Sequence, residues 1–250
     1  MSSHTAEGSP MEGVGATRDI APTTIHRAVA RGAVYSEGMS YGDVFRVTER
    51  DALWALVEAH PLACLVVVDG AEPVIAHAPL ILRGDSLEGH VARGNPLAPY
   101  AVAGAAVTAL FQGPDAYVSP RWYARPREQV PTWNYAVVRA WGRLSAMDGD
   151  EARSHLDALA QRFEGEGAGT DAWRASWLDA EALAAMGRGV VAFRVEVDRV
   201  EGRFKLSQNR DEGDRRRVES ALIARGARGD EDVAALMRAA ALGPSRRSRP

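Results

Sequence analysis

The sequence predicts a mainly β protein with flanking helices (α+β), arranged as a small antiparallel barrel with the helices outside. Three observations carry that reading. Short segments rich in β-branched and aromatic residues follow one another quickly between positions 62 and 144. Two stretches, Trp133–Leu144 and Val190–Val197, alternate with period two. Helical spacing is confined to a few stretches around them.

Taken in order, residues 1–37 are rich in Ala, Gly, Ser, Thr and Pro without sustained periodicity, and are expected to be a disordered leader. Thr48 followed by Asp51 resembles a capping box opening a helix over Glu49–Ala59, with Leu53, Leu56 and Val57 on one face and His60-Pro61 as its stop. Leu62–Val68 and Val74–Leu82 flank Asp69-Gly70 as a hairpin. Pro79 lacks a donor, so its strand belongs at an edge or a bulge. Leu87–Ala92 and Ala105–Gln112 are further strands. In Trp133–Leu144, Trp133, Tyr135, Val137, Arg139 and Trp141 share one face, and Ala136, Val138 and Ala140 the other. Glu151–Phe163 is helical, Val190–Val197 is a strand, and Asp230–Leu242 is a final amphipathic helix. The barrel domain spans 38–210, and 211–250 form a basic helical extension.

The chain has 250 residues and a net charge of −3, with 46% apolar and 25% charged residues, which excludes collagen-like and wholly disordered chains. No apolar run approaches the roughly 20 residues that span a bilayer. A single cysteine, Cys64, excludes an internal disulfide framework and a Cys-based zinc cluster, and its apolar neighbours predict a small buried hydrophobe. The opening residues lack a signal-peptide pattern, so a cytoplasmic location is expected, with no membrane partner. Of the thirty basic residues, Lys205 is the only lysine. Residues 203–250 hold eleven Arg and Lys205 against seven acids, which leaves nucleic acid open as a partner of the basic tail. A solvated charged face is the alternative.

Four clusters carry candidate chemistry. His77-Ala78-Pro79-Leu80 lies in a strand whose exposed backbone suits a flat ring system, although a histidine there also serves as a hydrogen-bonded core residue. Gly89-His90-Val91-Ala92-Arg93-Gly94-Asn95-Pro96 runs from a strand towards a helix start, where His90, Arg93 and Asn95 suit a phosphate, or make an ordinary turn. Gln112 to Asn134 is too aromatic and too polar for simple core, and suits an aromatic ligand or a partner surface. Gly202 to Arg210 follows a strand with three cations and a run of hydroxyl and amide groups, an anion contact or a salt-bridged loop.

Together with Phe111-Gln112-Gly113-Pro114, Ala116-Tyr117-Val118-Ser119-Pro120, Trp122-Tyr123, Val130-Pro131-Thr132-Trp133-Asn134-Tyr135 and Lys205-Leu206-Ser207-Gln208-Asn209-Arg210, these clusters resemble the PaiB family of FMN-binding negative transcriptional regulators over about Met39–Leu242. The resemblance implies a flavin split barrel of the pyridoxamine-phosphate oxidase type: an antiparallel six-stranded Greek-key-type barrel, homodimeric, with FMN at the subunit interface. It implies His77, Ala78 and Pro79 along the flavin ring, His90, Arg93 and Asn95 at the phosphate, and Lys205, Ser207, Gln208 and Arg210 as further contacts. Gln112, Trp133 and Asn134 would approach from the partner subunit. Three positions depart from the family's pattern: Met39-Ser40-Tyr41-Gly42, Asn95-Pro96-Leu97-Ala98, and Arg139 in place of a usual His.

Relatives of that family, the piperazate synthases, bind haem and form a nitrogen–nitrogen bond in an N-hydroxylated diamino acid. By that resemblance the alternative cofactor is haem b. His77 is then the axial metal ligand and a catalytic residue, and Lys205 the catalytic base if burial lowers its pKa. Three readings follow: an FMN-binding dimer with a regulatory or redox role on a small-molecule ligand, a haem enzyme, and a DNA-associated repressor.

Overall fold

The computed structural model describes residues 43–165, 173 and 177–241. Eight strands form one antiparallel sheet in the order β3-β2-β6-β7-β8-β5-β4, with β1 paired to β8. They are β1 (Arg46–Val47), β2 (Leu62–Asp69), β3 (Glu72–Pro79), β4 (Ile81–Arg83), β5 (Ser86–Ala92), β6 (Ala106–Val118), β7 (Thr132–Ala146) and β8 (Val190–Lys205). The helices are α1 (Arg50–Ala59), α2 (Ala98–Ala103), α3 (Gly149–Gly165), α4 (Ala180–Arg188), α5 (Glu212–Arg225) and α6 (Asp230–Ala241). The leader and the tail 244–250, the expected nucleic-acid contact, lie outside the described residues.

The sheet curls into a half-barrel because its two faces differ. Alternate residues on the inner face are sealed: Leu65, Phe111, Val138, Phe193 and Phe204 are each fully buried. Each such side chain contributes about 1.5–3 kcal/mol on leaving water. Helix α1 fills the mouth, burying Leu53, Leu56 and Val57 as its spacing predicts. The curl brings the end of β3 onto β5, where a Cβ on Gly89 would stand 3.2 Å from the Pro79 carbonyl oxygen and closer still to Leu80. Gly142 is held more tightly: a Cβ there would lie 2.0 Å from the Glu196 carbonyl oxygen, at a register shift between β7 and β8.

Several boundaries differ from the sequence reading for local reasons. The strand expected over Val74–Leu82 is two: Pro79 cannot donate, and the Leu80 amide instead donates to the Pro61 carbonyl at 2.8 Å. β3 is an end strand of the sheet, as Pro79 requires. β6 does not stop at Gln112 but crosses Gly113-Pro114 through a bulge before Asp115. β8 continues eight residues past Val197, to Lys205. The cap of α1 is Glu49, with no side-chain cap bond, so the Thr48–Asp51 box does not form. Cys64 is only partly buried: it lies on the outer face of β2, opposite the buried Ala63 and Leu65. Helix α5 was not legible, because it buries only Asp214, Val218 and Leu222. Val218 and Leu222 join Val233, Leu236 and Met237 of α6 in the same core as the sheet.

Candidate functional site

The outer face of the half-barrel is the feature a ligand would meet. Strand register places residues of adjacent strands side by side on it. One row runs His77, Cys64, Leu110, Arg139, Glu201, and the next Ile75, Val66, Thr108, Trp141, Arg199. Beside them stand the rows Gln112, Val137, Arg203 and Tyr135, Lys205. As the alternation of β7 predicts, Tyr135, Val137, Arg139 and Trp141 are partly exposed while Ala136, Val138 and Ala140 are sealed. Trp133 is 52% exposed, Ile75 54% and Leu62 63%, an apolar and aromatic surface that one chain leaves uncovered.

His77 is exposed on this face at an end strand, and its imidazole makes no hydrogen bond among the described residues. The bond from the Leu80 amide to Pro61 fixes the alternation of the β2–β3 ladder, which leaves the His77 amide and carbonyl on the free edge. Ala78 points into the core and Pro79 is half-buried. Gln112 is exposed at the start of the β6 bulge. The structure thus brings Gln112, Trp133 and Lys205 onto one face of β6, β7 and β8.

The Lys205–Arg210 motif turns where β8 ends. The Lys205 ammonium donates to Thr132 Oγ1 and to the Trp133 carbonyl, both at 2.6 Å, and lies 6.0 Å from the Phe45 ring centroid. Burial lowers its pKa, and the charges of Arg210 and Arg203 lower it further. Ser207 adopts a left-handed backbone, φ 64°, which a non-glycine residue keeps only when its surroundings enforce it. The enforcing group is Asn134, fully buried: its Nδ2 donates to Ser207 Oγ at 3.0 Å, and that hydroxyl donates back to Asn134 Oδ1 at 3.2 Å. Gln208 accepts from the Leu206 amide at 2.6 Å and donates to the Phe204 carbonyl. Arg210 lies over the Tyr123 ring at 4.8 Å. Asn134, Ser207 and Gln208, expected at the cofactor, therefore spend their side chains holding the turn that presents Lys205.

The second expected cluster is partly committed as well. His90 turns under α3, with its Nδ1 3.2 Å from Nε2 of the buried His155, whose other nitrogen stands 3.8 Å from Glu88. Burial lowers both imidazole pKa values, that of His155 to about 4, where His90 and Arg83 depress it further and Glu88 opposes them. Arg93 donates to the carbonyls of Arg188 (2.7 Å) and Val190 (3.0 Å), which leaves its Nη1 without a hydrogen bond among the described residues. Asn95 Oδ1 accepts from the Leu97 amide at 2.9 Å, and its Nδ2 is likewise unengaged. His155 and Glu88 had no signal in the sequence, because a lone His in a helix and a lone Glu in a strand look like surface residues.

The sequence and the fold have relatives. A family model described as "Putative FMN-binding domain" matches residues 39–199. The protein named protease synthase and sporulation protein PAI 2, from Bacillus subtilis, is 33% identical over 174 residues, covering 68% of this chain and 82% of its own. Among solved structures, the FAD and haem binding protein from Mycobacterium smegmatis has a TM-score of 0.54 at 23% identity, over 73% of this chain and 80% of its own. The flavocytochrome Anf3 from Azotobacter vinelandii has a TM-score of 0.54 at 12% identity, over 74% and 80%. Both share the half-barrel architecture.

Proposed function

Because the chain belongs to the FMN-binding domain family, we propose that it holds FMN on the outer face of the half-barrel, between two copies of itself, in a regulatory or redox role. The observation that carries this reading is the uncovered face itself. It combines a free backbone edge at His77 with exposed aromatic and aliphatic side chains, and Arg93 and Asn95 beyond the end of β5 keep donors for an anion. A flavin needs a flat apolar surface, backbone groups for its pyrimidine edge and positive charge for its phosphate, and these residues fit it.

Bound flavin supplies one- or two-electron transfer. The chain's own residues do the rest. The His77 amide and carbonyl offer a donor and an acceptor along the free edge of β3. Arg93 Nη1 and Asn95 Nδ2 are the donors left for the phosphate. β3 and β5 meet at Pro79 and Gly89, so His77 and His90 stand within two residues of one seam. Gln112 and Trp133 of the second copy close over the ring, and Lys205 brings a cation to that wall. The regulatory role rests on the Bacillus relative, which is named a protease synthase and sporulation protein.

A second reading has a specific observation behind it. The His77 imidazole is exposed and unengaged, as an axial haem ligand must be before the metal arrives. One spectrum separates the two. Protein reconstituted with FMN is expected to retain it through gel filtration, with the two broad near-ultraviolet and blue bands. An intense Soret band with no flavin uptake would replace the FMN reading with haem, and His77→Ala would then abolish the ligand-field signature.

A further inference from the structure

Between Tyr135 and Trp141 on β7, and among their register mates on β8, stand four cations, of which three are engaged. Lys205 is held by Thr132 and Trp133. Arg203 donates to the Tyr135 hydroxyl at 3.1 Å. Arg199 pairs with Glu201 at 2.8 Å and covers the Trp141 ring at 3.7 Å. Arg139 has no hydrogen bond and no ion pair among the described residues, and its Nε is sealed from solvent without a partner. Its register mate on β8 is Glu201, whose Oε1 accepts from Arg46 at 3.0 Å and from Arg199 at 2.8 Å and makes no ion pair with Arg139. On its other side stands Leu110, with Cys64 beyond it, and its guanidinium carbon lies 5.5 Å from the Trp141 ring centroid.

A guanidinium always carries charge and presents a planar fork suited to a carboxylate. Sealing its Nε from solvent without a hydrogen-bond acceptor is costly. We infer that Arg139 is the anion clamp of the flavin face and sets the substrate class: a small organic carboxylate, seated between Leu110 and Trp141 against the bound cofactor. The inference rests on the flavin reading for the cofactor, but the anion site stands on this chain's residues alone. The partly exposed Leu110 supplies apolar contact for the body of the ligand, and Arg139 selects the charged member of a pair of otherwise equal shapes.

The test uses benzoate as the carboxylate probe and benzamide as its neutral match of nearly equal shape. Binding is read in the full chain by tryptophan fluorescence without cofactor and by perturbation of the flavin bands with FMN bound, so a failure to take up flavin leaves the first readout intact. Benzoate is expected to bind saturably, about ten- to a hundredfold tighter than benzamide, the range a charge-assisted hydrogen bond provides. Arg139→Gln erases that preference, Arg139→Lys keeps part of it, and both retain FMN affinity and oligomeric state. Equal binding of the two probes to the unaltered protein overturns the inference before any variant is made. So does an Arg139→Gln variant that keeps the preference. Loss of FMN affinity or of the dimer in that variant also overturns it, since the guanidinium then serves the cofactor phosphate or the partner chain.

Discussion

Replacing Asn134 with Ala should be the most informative single change to the Lys205–Arg210 turn. The side chain is fully buried, and Ser207 is 4% exposed. Its two hydrogen bonds to Ser207, at 3.0 and 3.2 Å, lie in that sealed interior. A net buried hydrogen bond contributes about 1 kcal/mol, and an orphaned hydroxyl costs about 1–3 kcal/mol. The left-handed φ of 64° at Ser207 holds strain of about 1–3 kcal/mol that the clamp no longer opposes. Because the turn relaxes once freed, these effects overlap, and Asn134→Ala is expected to cost about 2–4 kcal/mol. Urea unfolding measures it as a lower midpoint at constant slope. Ser207→Ala alone should cost less, and the double variant should cost less than the two singles added, because they share one interaction. A loss below about 0.5 kcal/mol, or full additivity, would refute the clamp and return Asn134 to the set of cofactor contacts.

Other expectations follow from the charged groups. His155 is held at about 4 in the folded chain against 6.5 for a free imidazole, so the unfolded chain binds the extra proton first. Stability should therefore fall as pH drops from about 6.5 towards 4, and His155→Gln should flatten that slope in pH-dependent urea titrations. Asp230 is fully buried, with its carboxylate donated to by Arg225 and by the Ala227 amide at 2.9 Å. Asp230→Asn leaves Arg225 short of its counter-charge and should cost about 3 kcal/mol, read by thermal or urea unfolding. The Asp230 pKa is lowered, mainly by Arg225, so the stability it contributes is present above pH 3.8 and is lost as pH falls below that value. Lys205→Arg replaces a compact ammonium with a longer fork that cannot keep both 2.6 Å bonds. It should weaken FMN binding several-fold in equilibrium titration, and unchanged binding would leave Lys205 a structural residue.

Where a segment packs one face inward, its sequence shows it. The alternation of Trp133–Leu144 named the sealed and open faces of β7 residue by residue. In Val190–Val197 the alternation holds for the sealed Val191, Phe193 and Val195 against Arg194 and Glu196, while Ala192 is sealed as well and Val197 only half-buried; beyond it Glu, Arg and Gly dominate and the pattern fades although the pairing continues to Lys205. Gly113-Pro114 reads as a loop, yet a bulge carries β6 through it. Polar side chains were the hardest to place. Asn134, Ser207 and Gln208 have the composition of a binding loop, and nothing local distinguishes a group that faces a ligand from one that pins a turn. His77 was legible as an edge residue through Pro79, whereas the unpartnered Nε of Arg139 depends on Glu201 turning its Oε1 to Arg199 and to Arg46, 155 positions away in the chain.

The central claim is that one face serves both FMN and a second copy of the chain. Ile75 lies on that face on the end strand β3, two residues from His77 and 54% exposed, so a charge there disturbs an interface without disturbing the core. Sedimentation and FMN titration of Ile75→Asp test the claim together. The account predicts a monomer that no longer retains FMN, with circular dichroism and urea midpoint unchanged. A variant that remains dimeric and still binds FMN as tightly as the unaltered chain would contradict it.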